Sequence, residues 1–321
     1  MKTMKAVCIY AYGDSSVLKY QDAPRPHPST GEVLVRVHAA GINPVDWKIR
    51  EGHLKEMLHH TFPLVLGWDV SGVVEALGSG VKRLKVGDEV FSRPDISRDG
   101  AYAEFIVIKE SEVAIKPKAI DHIQAAALSL AGLTAWQTLF DTGGLSAGQR
   151  VLIHAGAGGV GHLAVQLAKW KGAHVITTGS ARNHAFLKKL GADQILDYDT
   201  VRFEEAMEPV DLVLDTMGGE IQERSWKVIK PGGMLISVVS PPSAETAKAH
   251  GARQSFVFIE PNIKQLAEIA SLVETEQIKV TVDTILTLSD AARGQELSER
   301  GHTRGKIVMR VIEHKTPYPW P

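Results

Sequence analysis

Val151-Leu152-Ile153-His154-Ala155-Gly156-Ala157-Gly158-Gly159-Val160-Gly161 runs directly into His162-Leu163-Ala164-Val165-Gln166-Leu167-Ala168. An apolar, strand-like segment closes on G-x-G-x-x-G, and the residues beyond it form a good helix. The glycine spacing is weak alone, but a strand before it and a helix after it are the context that a dinucleotide pyrophosphate requires. Gly156 permits the tight turn, Gly158 lets the backbone approach phosphate, and Gly161 allows close helix packing. Ala157, Gly159 and Val160 complete the loop, whose free N–H groups at the helix start attract anionic oxygens. The alternative is a glycine-rich turn that binds nothing.

About twenty residues further on, at the end of the next strand, a dinucleotide site for NAD presents an acid to the ribose hydroxyls. This chain instead has Thr178-Gly179-Ser180-Ala181-Arg182-Asn183. Arg182 offers a planar guanidinium fork and Ser180 a small donor, a pair suited to a 2′-phosphate that an acid would repel. The turn therefore predicts NADPH, with an ordinary exposed arginine at a helix start as the competing reading of Arg182.

Outward from this motif the chain alternates strands and helices. Strands are expected at Val151–His154, Val175–Thr178, Gln194–Leu196, Leu212–Asp215 and Met234–Val239, with a helix from Val160 to Lys171 and another ending at Leu190. Crossover helices between strands predict a doubly wound parallel sheet, an α/β architecture. Upstream the texture differs: Val33–Val37, Val70–Leu77, Glu89–Phe91 and Glu104–Ile108 read as short strands separated by Gly78-Ser79-Gly80, Gly87-Asp88 and Asp99-Gly100. Asp121, with Gln124 three residues later, opens a helix expected to run to Leu130. A helix after Pro261-Asn262 carries an apolar stripe at Ile263, Leu266, Ala270 and Val273. Ile285–Leu288 and Lys306–Val311 return to the β texture of the first third, so both ends are expected to build one domain. The expected organisation is a catalytic domain from 1–120 and 260–321, with a nucleotide-binding domain at 121–259.

The bulk properties fit this division. A chain of 321 residues exceeds one comfortable core. Its composition, 44% hydrophobic and 23% charged, is that of a globular protein. A formal charge of -1 provides no basic field for a nucleic-acid backbone. No apolar run approaches the roughly 20 residues that span a bilayer, and Met1-Lys2-Thr3-Met4-Lys5 has no signal-peptide pattern, so a cytoplasmic location is expected. Cys8 is the single cysteine, and the 13 histidines are scattered, the pair His59-His60 lacking a third ligand at fixed spacing.

Several further segments carry a resemblance. Gly41-Ile42-Asn43-Pro44-Val45-Asp46-Trp47-Lys48, Leu66-Gly67-Trp68-Asp69-Val70-Ser71-Gly72 and Val86-Gly87-Asp88-Glu89-Val90 occur in that order. They are followed by Gly100-Ala101-Tyr102-Ala103-Glu104, Gly132-Leu133-Thr134-Ala135-Trp136, the glycine motif, Gly191-Ala192-Asp193 and Gly305-Lys306-Ile307-Val308. Together they resemble the medium-chain dehydrogenase/reductase superfamily over nearly the whole chain. The Asn-Pro-Val-Asp-x-Lys segment and the Ser-Ala-Arg-Asn turn look most like its quinone oxidoreductases and the related enone and chloroplast-envelope reductases. The resemblance implies a GroES-like β-rich catalytic domain from both termini, a Rossmann domain between them, and an active site in the intervening cleft. It also implies a homodimer joined through the last Rossmann strand, placed at Phe256 to Ile259.

Zinc-dependent relatives hold their catalytic metal through a cysteine near the first of these segments and a Gly-His-Glu segment. Here Asn43 and Gly67-Trp68-Asp69 stand in those places, and neither carboxamide nor indole is a zinc ligand, so no metal is expected. The four-cysteine structural zinc lobe is likewise impossible with Cys8 alone. Without a metal, quinones and α,β-unsaturated carbonyls are the expected substrates, because their developing charge is delocalised and modest hydrogen-bond donors stabilise it. A simple aldehyde or ketone reductase, and a crystallin-like protein that binds NADPH without turnover, are the alternatives.

The resemblance assigns Lys48 to the ribose hydroxyls or the developing oxyanion, against a solvated surface lysine. Asn43 and Asp46 orient the nicotinamide ribose, or are turn residues about Pro44. Trp68 is either a flat wall for a quinone or core. Tyr102 is a hydroxyl donor or a packing residue. Thr134 approaches the nicotinamide amide or serves as a helix hydroxyl. Asn183, Tyr198, Phe258 and Lys306 complete the expected cofactor contacts, Tyr198 at the adenosine end.

Overall fold

The structure, a computed structural model, describes residues 2–312. The antiparallel part begins with β1 (Thr3–Ile9), β2 (Lys19–Pro24), β3 (Glu32–Ile42), α1 (Pro44–Arg50), β4 (Leu64–Val65), β5 (Val70–Leu77), β6 (Glu89–Ser92), β7 (Phe105–Lys109) and β8 (Val113–Ile115). Then come α2 (His122–Ala126), α3 (Ser129–Trp136), β9 (Arg150–Ile153), α4 (Gly161–Trp170), β10 (His174–Thr178), α5 (His184–Lys189), β11 (Gln194–Leu196) and β12 (Val210–Asp215). The chain continues through α6 (Gly219–Ser225), β13 (Ile229–Ser237), α7 (Ala244–Ala249), β14 (Arg253–Phe256), α8 (Ile263–Glu274), β15 (Val282–Thr287), α9 (Ala291–Arg300) and β16 (Lys306–Arg310).

Strands β9 to β14 form a six-stranded parallel sheet in the order β11-β10-β9-β12-β13-β14. Counted along the chain this is 3-2-1-4-5-6, the dinucleotide-binding order, and its switch point lies between β9 and β12, where the glycine loop leaves the sheet. Strand β9 is buried on both faces, as a central parallel strand must be. Val151 and Ile153 join the core shared with α3 and α4, while Leu152 joins the core on the other face.

The other strands build a seven-stranded sheet, ordered β15-β16-β3-β5-β6-β8 with β7 also on β3, and a three-stranded sheet β2-β1-β4. Strand β16 pairs antiparallel with β3, Ile307 opposite Ile42 and Val308 opposite Gly41, so the two ends of the chain share one sheet. This is the GroES-like and Rossmann pairing that the sequence suggested.

Three local expectations change. The helix expected from Asp121 to Leu130 keeps its capping box, Gln124 N–H donating to Asp121 Oδ1 at 2.8 Å, but stops at Ala126. A new helix starts at Ser129 because Asp69 Oδ1, from a distant strand end, accepts the Leu130 N–H at 2.6 Å. The last parallel strand ends at Phe256, so Phe258 lies beyond it and packs partly buried against the core of the antiparallel part. Helix α8 buries Leu266, Ile269, Leu272 and Val273 in the core of α3 and α4, and the chain rejoins the antiparallel sheet only at β15. Among the described residues no helix is long and apolar enough to cross a membrane.

Candidate active site

After Ile153 the chain leaves the sheet through a tight turn in which Ala155 takes a left-handed φ of 51°. Thr178 secures it: its carbonyl accepts the Gly156 N–H at 3.0 Å and its hydroxyl oxygen the Ala155 N–H at 3.0 Å. A Cβ on Gly156 would stand 2.0 Å from Thr177 Oγ1, and one on Gly161 2.2 Å from the Ala155 carbonyl oxygen. Among the described residues, the N–H groups of Gly159, Val160 and Gly161 donate to no backbone acceptor. Glycines where a side chain collides, and open donors at a helix start, fit a pyrophosphate.

The loop is also the junction with the antiparallel part. The Gly305 N–H donates to the Ala157 carbonyl at 2.8 Å, and a Cβ on Gly159 would meet Lys306 Cδ at 3.1 Å. His162, fully buried one residue into α4, faces the Gly158 carbonyl with Nδ1 at 3.0 Å and accepts the Thr281 N–H on Nε2 at 3.2 Å. These partners assign its proton to Nδ1. Burial pushes its pKa down to about 4, keeping the ring neutral. Gln166, one turn later, donates to the Lys279 carbonyl and accepts the Lys279 N–H, both at 2.9 Å.

At the other end of the loop, Ser180 accepts from Asn183 Nδ2 at 3.3 Å, and Arg182 donates from Nη2 to the His302 carbonyl at 3.0 Å. Arg304 braces the same turn, its Nε donating to Asn183 Oδ1 at 2.9 Å and its Nη2 to the Arg182 carbonyl at 3.1 Å. Two guanidinium groups thus share this turn. Tyr198 is exposed just beyond β11.

Facing the loop from the antiparallel part is a buried polar cluster. Lys306 Nζ lies 2.9 Å from Asp69 Oδ2, donates to the Ile42 carbonyl at 3.2 Å, and contacts Asn43 Oδ1. Asn43 Nδ2 donates to Asp69 Oδ2 at 2.9 Å. Proline at the first position of α1 suits a helix start, where its missing N–H costs nothing. Asp46 reaches back from that helix, its Oδ2 accepting the Asn43 N–H at 2.8 Å and the Tyr102 hydroxyl at 2.7 Å. Its Oδ1 has no partner among the described residues. Burial raises the pKa of Asp46 to about 7 against these hydrogen bonds, and burial also pushes the Tyr102 phenol well up, so the phenol stays protonated as a donor.

Lys48, half-buried on the same helix, has no hydrogen bond or ion pair among the described residues, and its amine lies 5.8 Å from the Trp47 ring centroid. Desolvation lowers its pKa. Thr134, on α3, donates its hydroxyl to the Leu130 carbonyl at 2.7 Å, which is the helix-hydroxyl geometry. Trp68 requires a correction: its side chain is fully enclosed, stacked near His60 and donating from Nε1 to the Arg98 carbonyl at 3.1 Å, so it offers no open wall. Tyr102 is equally enclosed, and its hydroxyl donates to Asp46.

Asp69, Arg304 and His162 were not singled out from the sequence. The Gly-Trp-Asp triplet drew attention to Asp69 only as a replacement for a metal-binding segment, and His162 lay inside the glycine motif unremarked. No local signal marks Arg304.

Two family models match. That described as the alcohol dehydrogenase GroES-like domain covers residues 29–118, and that described as zinc-binding dehydrogenase covers residues 190–309. Among solved structures, the chain is similar to the quinone oxidoreductase from Coxiella burnetii, with 40% identity, a TM-score of 0.90, and coverage of 97% of this chain and 100% of that one. It is 36% identical to the 2-methylene-furan-3-one reductase of Solanum lycopersicum over 96% of this chain and 79% of that protein. It is 33% identical to the mitochondrial NAD(P)H oxidoreductase RTN4IP1 of Danio rerio over 97% of this chain and 92% of that protein. With the strand order, the glycine loop and both sequence halves in agreement, the chain belongs to the medium-chain dehydrogenase/reductase superfamily, in its quinone oxidoreductase family.

Proposed function

We propose that the protein is an NADPH-dependent reductase of quinones and α,β-unsaturated carbonyls. The observation that carries this reading is the opposition of two features across one junction: open N–H donors on the glycine loop, and the buried Asn43–Asp69–Lys306 cluster, whose lysine touches both sides. The names of the relatives, an NAD(P)H oxidoreductase, an enone reductase and a quinone oxidoreductase, support the same chemistry.

Bound NADPH would supply a hydride, delivered to the β-carbon of an enone or to a quinone. Gly156 to Gly161 would hold its pyrophosphate, and Ser180, Arg182 and Asn183, braced by Arg304, its 2′-phosphate. Thr134, Tyr198 and Phe258 remain the proposed contacts along the rest of the nucleotide. Lys48, an amine on the helix beside Asn43 and without a hydrogen-bond or ion-pair partner among the described residues, is the group we assign to the ribose hydroxyls or the developing enolate or quinol oxygen. Asp46 acts through Asn43, whose backbone it holds, and Tyr102 acts through Asp46. A proton from water or from the cofactor ribose would complete the reduction.

We read the site as working without zinc. Lys306 and Asp69 engage the Asn43 carboxamide, the Arg98 carbonyl takes the Trp68 indole, and Cys8 is buried elsewhere in the antiparallel part. Among the described residues strand β14 ends the parallel sheet with an unpaired edge, and we assign that edge to a homodimer contact.

The test is NADPH oxidation against a panel of quinones and enones, with deuterium from labelled NADPH traced into the product. Background rates with every acceptor would remove the catalytic reading. One tightly held zinc per chain in metal analysis would overturn the metal-free site, and a monomer in light scattering would remove the dimer.

A further inference from the structure

Arg93 directly follows β6, where Ser92 pairs with Val70, so the antiparallel register continues toward Asp69 of the buried polar cluster. Side chains alternate along a strand, so Arg93 leaves on the side taken by Phe91, and Phe91 lies in the core shared with α2 and α3. Only 3% of Arg93 is exposed. A guanidinium so far removed from water is costly to bury unless its donors are satisfied. Its one hydrogen bond among the described residues is a long one, from Nη1 to the Pro94 carbonyl at 3.4 Å, and its buried Nε has no partner.

Carboxylates stand around it without pairing. Burial pushes its pKa down, and the charges of Glu260, Asp95, Asp69 and Glu112 oppose that only in part; none of the four forms an ion pair with it. Three of them are committed elsewhere. Asp69 holds Asn43, Lys306 and the Leu130 N–H; Asp95 holds Ser97 and Lys109; Glu112 holds Lys109 and the Asp95 N–H. Glu260 is exposed, in the segment between β14 and α8. The guanidinium thus lies in a site that disfavours its charge, with most of its planar fork of donors unused among the described residues, an arrangement that an incoming planar oxyanion would relieve.

We propose that Arg93 is a specificity-determining residue that binds a carboxylate carried by the reducible substrate, so that the preferred enones or quinones are acidic ones. The inference rests on the reductase reading for its substrate but not for its binding site. The informative pair of substrates is benzoylacrylic acid and its methyl ester, which share one enone and differ in charge. With NADPH saturating, Arg93→Gln should lower kcat/KM for the acid by about ten- to a hundredfold, mainly through KM, and change the ester little. Arg93→Lys should recover part of that loss. An equal loss on acid and ester, or none on either, would overturn the proposal. Calorimetry with benzoylpropionate, the saturated analogue, and the NADPH-loaded protein gives a readout that needs no turnover. Weaker binding to Arg93→Gln than to the parent supports the proposal even if neither enone is reduced, in which case only the reductase reading fails. Equal binding to both proteins overturns it.

Discussion

Lys306 Nζ and Asp69 Oδ2 meet at 2.9 Å with side-chain exposures of 4% and 0%, joining β16 to the segment before β5. A buried pair of this kind contributes little over an apolar substitute, but removing one partner strands the other charge. Lys306→Met should therefore destabilise the protein by about 3–5 kcal/mol in urea denaturation, and adding Asp69→Asn, which removes the stranded charge but keeps an acceptor for the Leu130 N–H, should restore part of the loss. A single substitution costing under about 1 kcal/mol would show that water already reaches the pair.

The glycine loop allows a ranking. Gly156→Ala and Gly161→Ala place a methyl within 2.0 Å of a threonine hydroxyl and 2.2 Å of a backbone oxygen, whereas Gly159→Ala meets only the flexible Lys306 side chain at 3.1 Å. The first two should weaken NADPH binding by at least about tenfold in fluorescence titration, and the third by less. The reverse order would place the pyrophosphate somewhere other than this turn.

Arg182 and Arg304 should act together on cofactor choice. Arg182→Ala is expected to raise KM for NADPH by about tenfold while leaving NADH within about twofold, the worth of one charge-assisted contact. Arg304→Ala should shift both cofactors in the same sense but less, because it braces Asn183 and the Arg182 carbonyl. Equal effects of Arg182→Ala on the two cofactors would remove the NADPH assignment.

Two sets of buried groups give stability opposite pH slopes. Burial holds His154 and His162 at about 4, below the roughly 6.5 of an unfolded histidine, so their contribution is full above about pH 6.5 and lost as pH falls toward 4. Asp46 is raised to about 7, so the folded state keeps a proton that the unfolded chain releases near 4, and stability falls as pH rises between those values. Relative to the parent, Asp46→Asn should gain stability as pH rises from about 4 to 7 and stay level above that. A difference independent of pH across that window would mean that Asp46 is ionised in the folded protein throughout.

Much of the fold was legible because its signals are local. The strand, glycine turn and helix at 151–170, the Asp121 cap and the apolar stripe of α8 each depend on residues within a few positions of one another, where backbone sterics and side-chain period act directly. The break between α2 and α3 was not legible, because its cause is a carboxylate 61 residues away that takes the Leu130 N–H. Trp68 reads equally as wall or core until the turn that sends its indole to the Arg98 carbonyl is known.

Periodicity and turn chemistry in the amino-acid order were enough to specify a parallel nucleotide-binding sheet between two β-rich ends, and the residue types at Asn43, Trp68 and Arg182 to suggest the chemistry. Packing alone settled which side chains converge: Lys306 on Asp69 across 237 positions, Arg304 on Asn183 across 121, and Thr281 on His162 across 119. Such pairings leave no trace in local pattern, because they follow from how whole elements pack in space and not from the spacing of the residues that meet.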